Sequence, residues 1–137
     1  MIGPEQLAAG ERAEALGDYI SAAAAYRAVV DVPDIHLSSR AQFCLGRVNW
    51  RQGRFDAALA AFRNSEALAE QTGDVELRAC VANGIGAVHY ARGDYAAARQ
   101  SYAIAASLTP RLSRIFPLIV SSCVKDAAIA YDWRAAA

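Results

Sequence analysis

The sequence has no excess of charge of either sign, since 14 lysine and arginine residues balance 14 aspartate and glutamate residues. A chain without a basic excess gives little electrostatic support for binding nucleic acid. Long apolar runs are also missing, and the longest aliphatic run, Leu118 to Val120, is far too short to span a bilayer. The chain starts without a basic leader followed by an apolar stretch. We therefore expect a cytoplasmic protein that binds neither nucleic acid nor membranes.

Cysteine is scarce, and motifs of metal and cofactor chemistry are missing. Cys44, Cys80 and Cys123 are odd in number and form no C-x-x-C pair, which argues against a disulfide framework and a zinc site. We expect them to be small buried hydrophobes. There is no H-E-x-x-H motif and no glycine-rich phosphate loop. Cys44, His89 and Asn49 have the residue types of a thiol triad, but they fall on different helical faces or repeat units. We therefore expect no enzyme activity, no cofactor and no metal.

One pattern, Gly-x-aromatic-x-x-Ala-x-x-x-aromatic, occurs three times in the chain. Glycine takes a left-handed backbone conformation at little cost, so the first position of the pattern predicts a turn that ends one helix. The Asp that follows two of these glycines can cap the next helix. The residues of the three copies are Gly17, Tyr19, Ala22 and Tyr26; Gly53, Phe55, Ala58 and Phe62; and Gly93, Tyr95, Ala98 and Tyr102.

A second glycine precedes each turn glycine by one constant interval, at Gly10, Gly46 and Gly86. Glycine in the middle of a helix costs about 1 kcal/mol relative to alanine. Its recurrence therefore predicts a close crossing of two helices at this position. Each unit is expected to be a helical hairpin with a tightly packed middle.

These residues resemble the tetratricopeptide repeat family, whose signature runs L-G-x-x-Y, then A-x-x-x-F, then P. The spacing of the turn glycines exceeds the family's usual unit of roughly 34 residues. In this respect the chain is similar to kinesin-light-chain-like and bacterial regulator arrays. The matching residues are Leu45, Gly46, Ile85 and Gly86 for the first part, Ala58, Phe62, Ala98 and Tyr102 for the second, and Pro110 for the third.

The resemblance implies an all-α fold, a right-handed superhelical solenoid of antiparallel helix hairpins. We expect a single domain over 1–137, with three units and then a capping helix or an incomplete fourth unit; whether the chain is part of a longer array stays open. The expected units are 3–35, 37–72, 74–110 and 111–137. The expected helices are 4–16, 18–31, 37–52, 55–71, 74–92, 95–108 and 115–130.

In this family the leading helix of each hairpin lines a concave groove that accepts a peptide or a partner helix. In the second unit, basic and aromatic residues share one stripe of that helix by their i, i+3 and i+4 spacing. Arginine can grip a carboxylate with two hydrogen bonds, so the stripe predicts a non-enzymatic module that binds an acidic or carboxylate-bearing segment. The expected groove residues are Arg40, Phe43, Arg47, Trp50 and Arg51, with Asn83 and Tyr90 from the third unit and Lys125 from the last.

Other interpretations remain open. Arg47 or Arg51 can instead pair with Glu11 or Glu14, and Trp50 and Phe43 can pack only against the adjacent unit. The chain can also self-associate through its C-terminal helix, with Phe116, Leu118 and Trp133 sealing against a second copy. A third alternative is a sensory or regulatory segment of a larger bacterial regulator.

Overall fold

The computed structural model describes residues 3–108, and every regular element in that range is an α-helix. The six predicted helices of this range are confirmed, with ends within two residues of those expected. The seventh, expected at 115–130, lies outside the described residues. The helices are α1 (Pro4–Ala15), α2 (Tyr19–Val30), α3 (Ile35–Arg51), α4 (Phe55–Thr72), α5 (Val75–Ala91) and α6 (Tyr95–Leu108).

Helix starts are fixed by aspartate side chains. At four of the six starts, an aspartate carboxylate accepts a hydrogen bond from a backbone N–H of the first turn, which satisfies a donor that the helix leaves unpaired. The predicted caps at Asp18 and Asp94 are confirmed. Asp34 and Asp74 cap α3 and α5 in the same way.

The three predicted turn glycines have the expected left-handed backbone. The φ angles of Gly17, Gly53 and Gly93 are 80°, 76° and 80°. In each turn, the N–H of the following residue donates to a carbonyl five residues earlier, at 2.9 Å in all three cases. The turns α1–α2, α3–α4 and α5–α6 are therefore the same structure, a glycine-ended helix that reverses directly into the next.

The helix crossing predicted from the second set of glycines is confirmed in each hairpin. A Cβ atom built at Gly10 would lie 2.5 Å from the ring of Tyr26. At Gly46 the corresponding distance to the Phe62 ring is 2.6 Å. A Cβ atom at Gly86 would lie 2.7 Å from the ring of Tyr102. Each leading helix thus has a side-chain-free position that receives an aromatic ring from its companion.

The chain divides into two compact units, and the first is Met1–Thr72. In it α1 packs against α2, α2 against α3 and α3 against α4, and α1 also contacts α3. A reciprocal pair of hydrogen bonds joins α3 to α4: the Ser39 hydroxyl donates to the Ser65 carbonyl at 3.3 Å, and the Ser65 hydroxyl donates to the Ser39 carbonyl at 2.8 Å. The largest fully buried apolar side chains here are Tyr26, Phe62, Val29 and Val48.

The second unit begins at Gly73, and its described part is the hairpin of α5 and α6. Tyr102 is the largest side chain of a buried cluster in this unit, and the partly buried Val75 and Tyr90 pack against that cluster. The buried members are Ala79, Ala98, Tyr102, Ala106 and Leu108.

Replacing Gly46 with alanine should show that the glycine is required by the Phe62 ring rather than by the helix. In the wild-type background we expect Gly46→Ala to destabilise the protein by about 1–3 kcal/mol, because the new methyl overlaps the ring. In a Phe62→Ala background the same change should be neutral or stabilising by up to about 1 kcal/mol, since alanine favours helix more than glycine does. Urea unfolding of the four proteins measures both values, and an equal effect in the two backgrounds would contradict the crossing.

Candidate binding surface

The five groove residues predicted on the second leading helix all lie on α3, and we call this set the α3 stripe: Arg40, Phe43, Arg47, Trp50 and Arg51. Their burial differs along the helix. Arg40 is exposed and Phe43 is buried, whereas the other three side chains are partly buried. The stripe therefore runs from an exposed cation into a more enclosed cluster near the C-terminal end of α3.

The enclosed end of the α3 stripe is organised around one carboxylate, that of Glu14 on α1. Arg47 binds it with two hydrogen bonds, from Nε to Oε2 at 2.6 Å and from Nη2 to Oε1 at 2.8 Å. Arg51 Nε donates to Oε2 at 3.2 Å. The Tyr26 hydroxyl of α2 donates to Oε1 at 2.8 Å. A carboxylate accepts about four hydrogen bonds, so Glu14 has its full complement.

Burial shapes the ionisation of this cluster. It raises the pKa of the Tyr26 phenol well above its ordinary range, and the nearby Cys44 and Glu14 groups raise it further. Burial alone would lower the pKa of Arg47, but the hydrogen bonds to Glu14 and the electrostatic interactions with Cys44, Glu14 and Tyr26 together outweigh that effect, and the pKa of Arg47 is raised. The pKa of the buried Cys44 thiol rises to about 12. At neutral pH the cluster therefore contains a neutral phenol, a neutral thiol and a firmly charged guanidinium.

The exposed end of the α3 stripe carries a looser ion pair. Arg40 Nη2 lies 3.4 Å from Glu11 Oε1, and both side chains are substantially exposed, by 55% and 43%. Such pairs contribute about 0–1 kcal/mol. Arg47 and Arg51 thus pair with Glu14, as one alternative from the sequence had it, and Arg40 pairs with Glu11 in addition. Three arginines of the stripe thus pair with two glutamates of α1.

The aromatic members of the stripe have different environments. Phe43 packs against Phe62 of α4, with ring centroids 5.7 Å apart, and the guanidinium carbon of Arg47 lies 5.5 Å from the centroid of the Phe43 ring. Phe43 is therefore part of the core, and the face of its ring packs against the Arg47 guanidinium. The indole Nε1 of Trp50 is buried and has no hydrogen-bond partner in the structure.

The predicted groove residues Asn83 and Tyr90 of the third repeat lie on α5, in the compact unit that begins at Gly73. Asn83 is only 1% exposed, and neither its amide nitrogen nor its amide oxygen has a hydrogen-bond partner. The equivalent positions of the other hairpins hold the buried apolar side chains Leu7 and Phe43. Tyr90 is partly buried and packs edge-to-face on Tyr95, with centroids 5.2 Å apart. A polar amide therefore occupies a position that is apolar elsewhere in the chain.

Lys125, the last predicted groove residue, lies outside the described residues. Within residues 3–108 no group of three or more His, Cys, Asp or Glu side chains is placed to hold a metal ion. In the same range, none of the helices combines the length and apolarity that crossing a bilayer requires.

Sequence reasoning did not identify Glu14 and Tyr26 as the centre of this surface. A signal for Glu14 does exist in the repeat. Glu14 follows Gly10 by the same interval at which Trp50 follows Gly46 and Tyr90 follows its own glycine. The first helix hairpin therefore has a carboxylate at the position where the other two hairpins have a large aromatic residue.

The two ion pairs on this surface should differ strongly in their contribution to stability. Replacing Arg47 with methionine leaves the buried Glu14 without its main counter-charge, and we expect a loss of about 3–5 kcal/mol. The matched control Arg40→Met removes an exposed pair and should cost less than about 1 kcal/mol. Removing both charges in Glu14→Leu/Arg47→Met should recover most of the loss. Urea denaturation provides the values, and similar losses for the two single variants would refute the structural role of Glu14.

Comparison with known proteins agrees with the hairpin geometry. A tetratricopeptide repeat family model matches residues 37–108, which are just over half of the chain and contain α4 to α6 and all but the first two residues of α3. No similar protein was found among curated proteins, and none among solved structures. The match does not extend to α1 and α2, although their hairpin has the same turn glycine and the same glycine–aromatic crossing. The chain belongs to the tetratricopeptide repeat family, whose repeats are generally modules of protein–protein interaction.

Proposed function

We propose that this protein is a non-enzymatic interaction module whose α3 stripe binds an acidic or carboxylate-bearing segment of a partner protein. One observation carries the proposal. Arg47 and Arg51 already hold a carboxylate, that of Glu14, with three hydrogen bonds in good geometry. Bidentate arginine–carboxylate pairs are among the stronger and more specific polar contacts in proteins. The α3 stripe thus has the chemistry that recognition of a partner carboxylate requires.

The charge and composition of the α3 stripe support the same partner class. Its three guanidinium groups favour an acidic segment over a basic one. Arginine and tryptophan are enriched at the centres of protein interfaces, where they contribute most of the binding energy. The Trp50 indole N–H is buried and unpaired, so a partner carbonyl or carboxylate that reached it would satisfy a donor that the fold leaves without an acceptor.

A second contact region is proposed on α5, within the compact unit that begins at Gly73. Leaving a buried amide unpaired costs about 1–3 kcal/mol of folding free energy, so Asn83 destabilises the folded protein. An amide offers paired donor and acceptor groups to an extended main chain. We therefore propose Asn83, with Tyr90 beside it on the same helix, as a polar contact for a partner. Lys125 is also proposed as a groove residue, from the sequence alone.

Two other functions stay predictions from the sequence. Self-association through the C-terminal helix depends on Phe116, Leu118 and Trp133, which lie outside the described residues. A regulatory role within a larger protein likewise depends on parts that the described residues do not include, and the cytoplasmic location also stays a prediction.

A fluorescence titration tests the acidic partner class. In a Trp133→Phe background Trp50 is the single tryptophan, so its emission reports on the α3 stripe. We expect a short Glu-rich peptide to bind more tightly than its Gln analogue, and the Lys analogue to bind least. Affinity for the acidic peptide should fall with added salt, because exposed charges are screened beyond about 8 Å at physiological ionic strength.

A matched pair of arginine variants places the site. Arg51→Ala removes one guanidinium of the stripe and leaves the two bonds between Arg47 and Glu14 in place. It should lower the affinity for the acidic peptide by about tenfold, roughly 1.4 kcal/mol. Arg27→Ala removes the same charge from the exposed surface of α2 and should change affinity little. Equal binding of the three peptides, or equal effects of the two variants, would contradict the proposal.

A further inference from the structure

The carboxylate of Glu14 occupies the guanidinium positions that a partner carboxylate would use. Arg47 directs both Nε and Nη2 to it, and Arg51 directs Nε to it. We propose that Glu14 is an internal competitor for the α3 stripe, so that a partner carboxylate binds Arg47 and Arg51 only by displacing Glu14. This inference rests on the proposed function and names the residue that sets its affinity and specificity.

Competition from Glu14 is strong because the competitor is tethered. A group held in the same molecule acts at an effective concentration of at least the millimolar order. Glu14 is also supported by the Tyr26 hydroxyl, which donates to Oε1 at 2.8 Å. A partner with one weakly placed carboxylate cannot match this arrangement. The α3 stripe should therefore select segments with several acidic residues, or with a carboxylate anchored by neighbouring contacts.

The exposures within the cluster indicate the order of exchange. The Arg51 side chain is 23% exposed, compared with 12% for Arg47 and 6% for Glu14. The Arg51 bond to Glu14, at 3.2 Å, is also longer than either bond from Arg47. An incoming carboxylate therefore contacts Arg51 first, and Arg47 exchanges afterwards.

The exchange discriminates against neutral partners. When one carboxylate replaces another, the partly buried Arg47 keeps a counter-charge, and Glu14 moves into water. A neutral segment that displaced Glu14 would leave Arg47 enclosed without a charged partner, which is a strongly unfavourable state. Glu14 thus lowers the affinity of every ligand for the α3 stripe, and a neutral ligand cannot compensate the charge of Arg47 after displacement as a carboxylate does.

The test measures affinity for the Glu-rich peptide in two variants with the same change of charge. Glu14→Gln weakens the internal competitor, and we expect at least a tenfold gain in affinity for this peptide. Glu11→Gln removes the carboxylate that pairs with the exposed Arg40 on the same helix, and its effect should stay below about threefold, as expected for a solvent-exposed pair. Circular dichroism and urea unfolding verify that both variants fold.

Tyr26→Phe provides a second variant that changes no charge. It removes the hydroxyl that supports Glu14 and keeps the ring that fills the space beside Gly10, as Phe62 does beside Gly46. We expect a severalfold gain in affinity for the acidic peptide and none for its Gln analogue. This variant decides the question if Glu14→Gln does not fold.

The outcomes separate this inference from the proposed function. A larger gain for Glu14→Gln than for Glu11→Gln, specific to the acidic peptide, supports the exchange. Equal affinities in the wild type, Glu14→Gln and Tyr26→Phe overturn the exchange and leave the acidic-segment proposal standing. No preference for the acidic peptide in any of the proteins overturns the proposed function, and the exchange with it.

Discussion

The contact between a helix glycine and an aromatic ring of the companion helix is the constraint on which the rest of the structure depends. It occurs at Gly10, Gly46 and Gly86, and in each case a single methyl group would overlap the ring. Because the two helices approach closely at this point, the following turn must reverse the chain within a few residues. The contact thus fixes how closely the two helices of each hairpin approach.

In the first unit this geometry brings three helices together at one carboxylate. The ring of Tyr26 fills the space beside Gly10, which places its hydroxyl against Glu14 on the next turn of α1. The packing of α1 on α3 then supplies Arg47 and Arg51. One interaction therefore has two consequences: it ties the first hairpin to α3, and it occupies the guanidinium groups of the α3 stripe.

The fold was predictable from the sequence because its signals are local. Gly17 and Asp18 specify a helix end and a helix start by their own backbone and side-chain preferences. The sequence offered the pairing of Glu14 with Arg47 only as one alternative among several, because local signals do not specify a contact between residues 33 positions apart. Nor does a helical wheel show that Asn83 is buried, because burial depends on packing that one helix does not specify. Local pattern therefore predicted the helices and the stripe, and tertiary contacts determined how the stripe is paired.

Replacement of Glu14 by a partner carboxylate on the α3 stripe is tested most directly by arginine side-chain NMR. The Nε–H resonances of Arg47 and Arg51, assigned with lysine substitutions, report on the bonds to Glu14. During titration with the Glu-rich peptide, these two resonances should shift and saturate together with the Trp50 fluorescence, while that of Arg27 stays unchanged. Saturation of the fluorescence without any change at Arg47 and Arg51 would contradict the account.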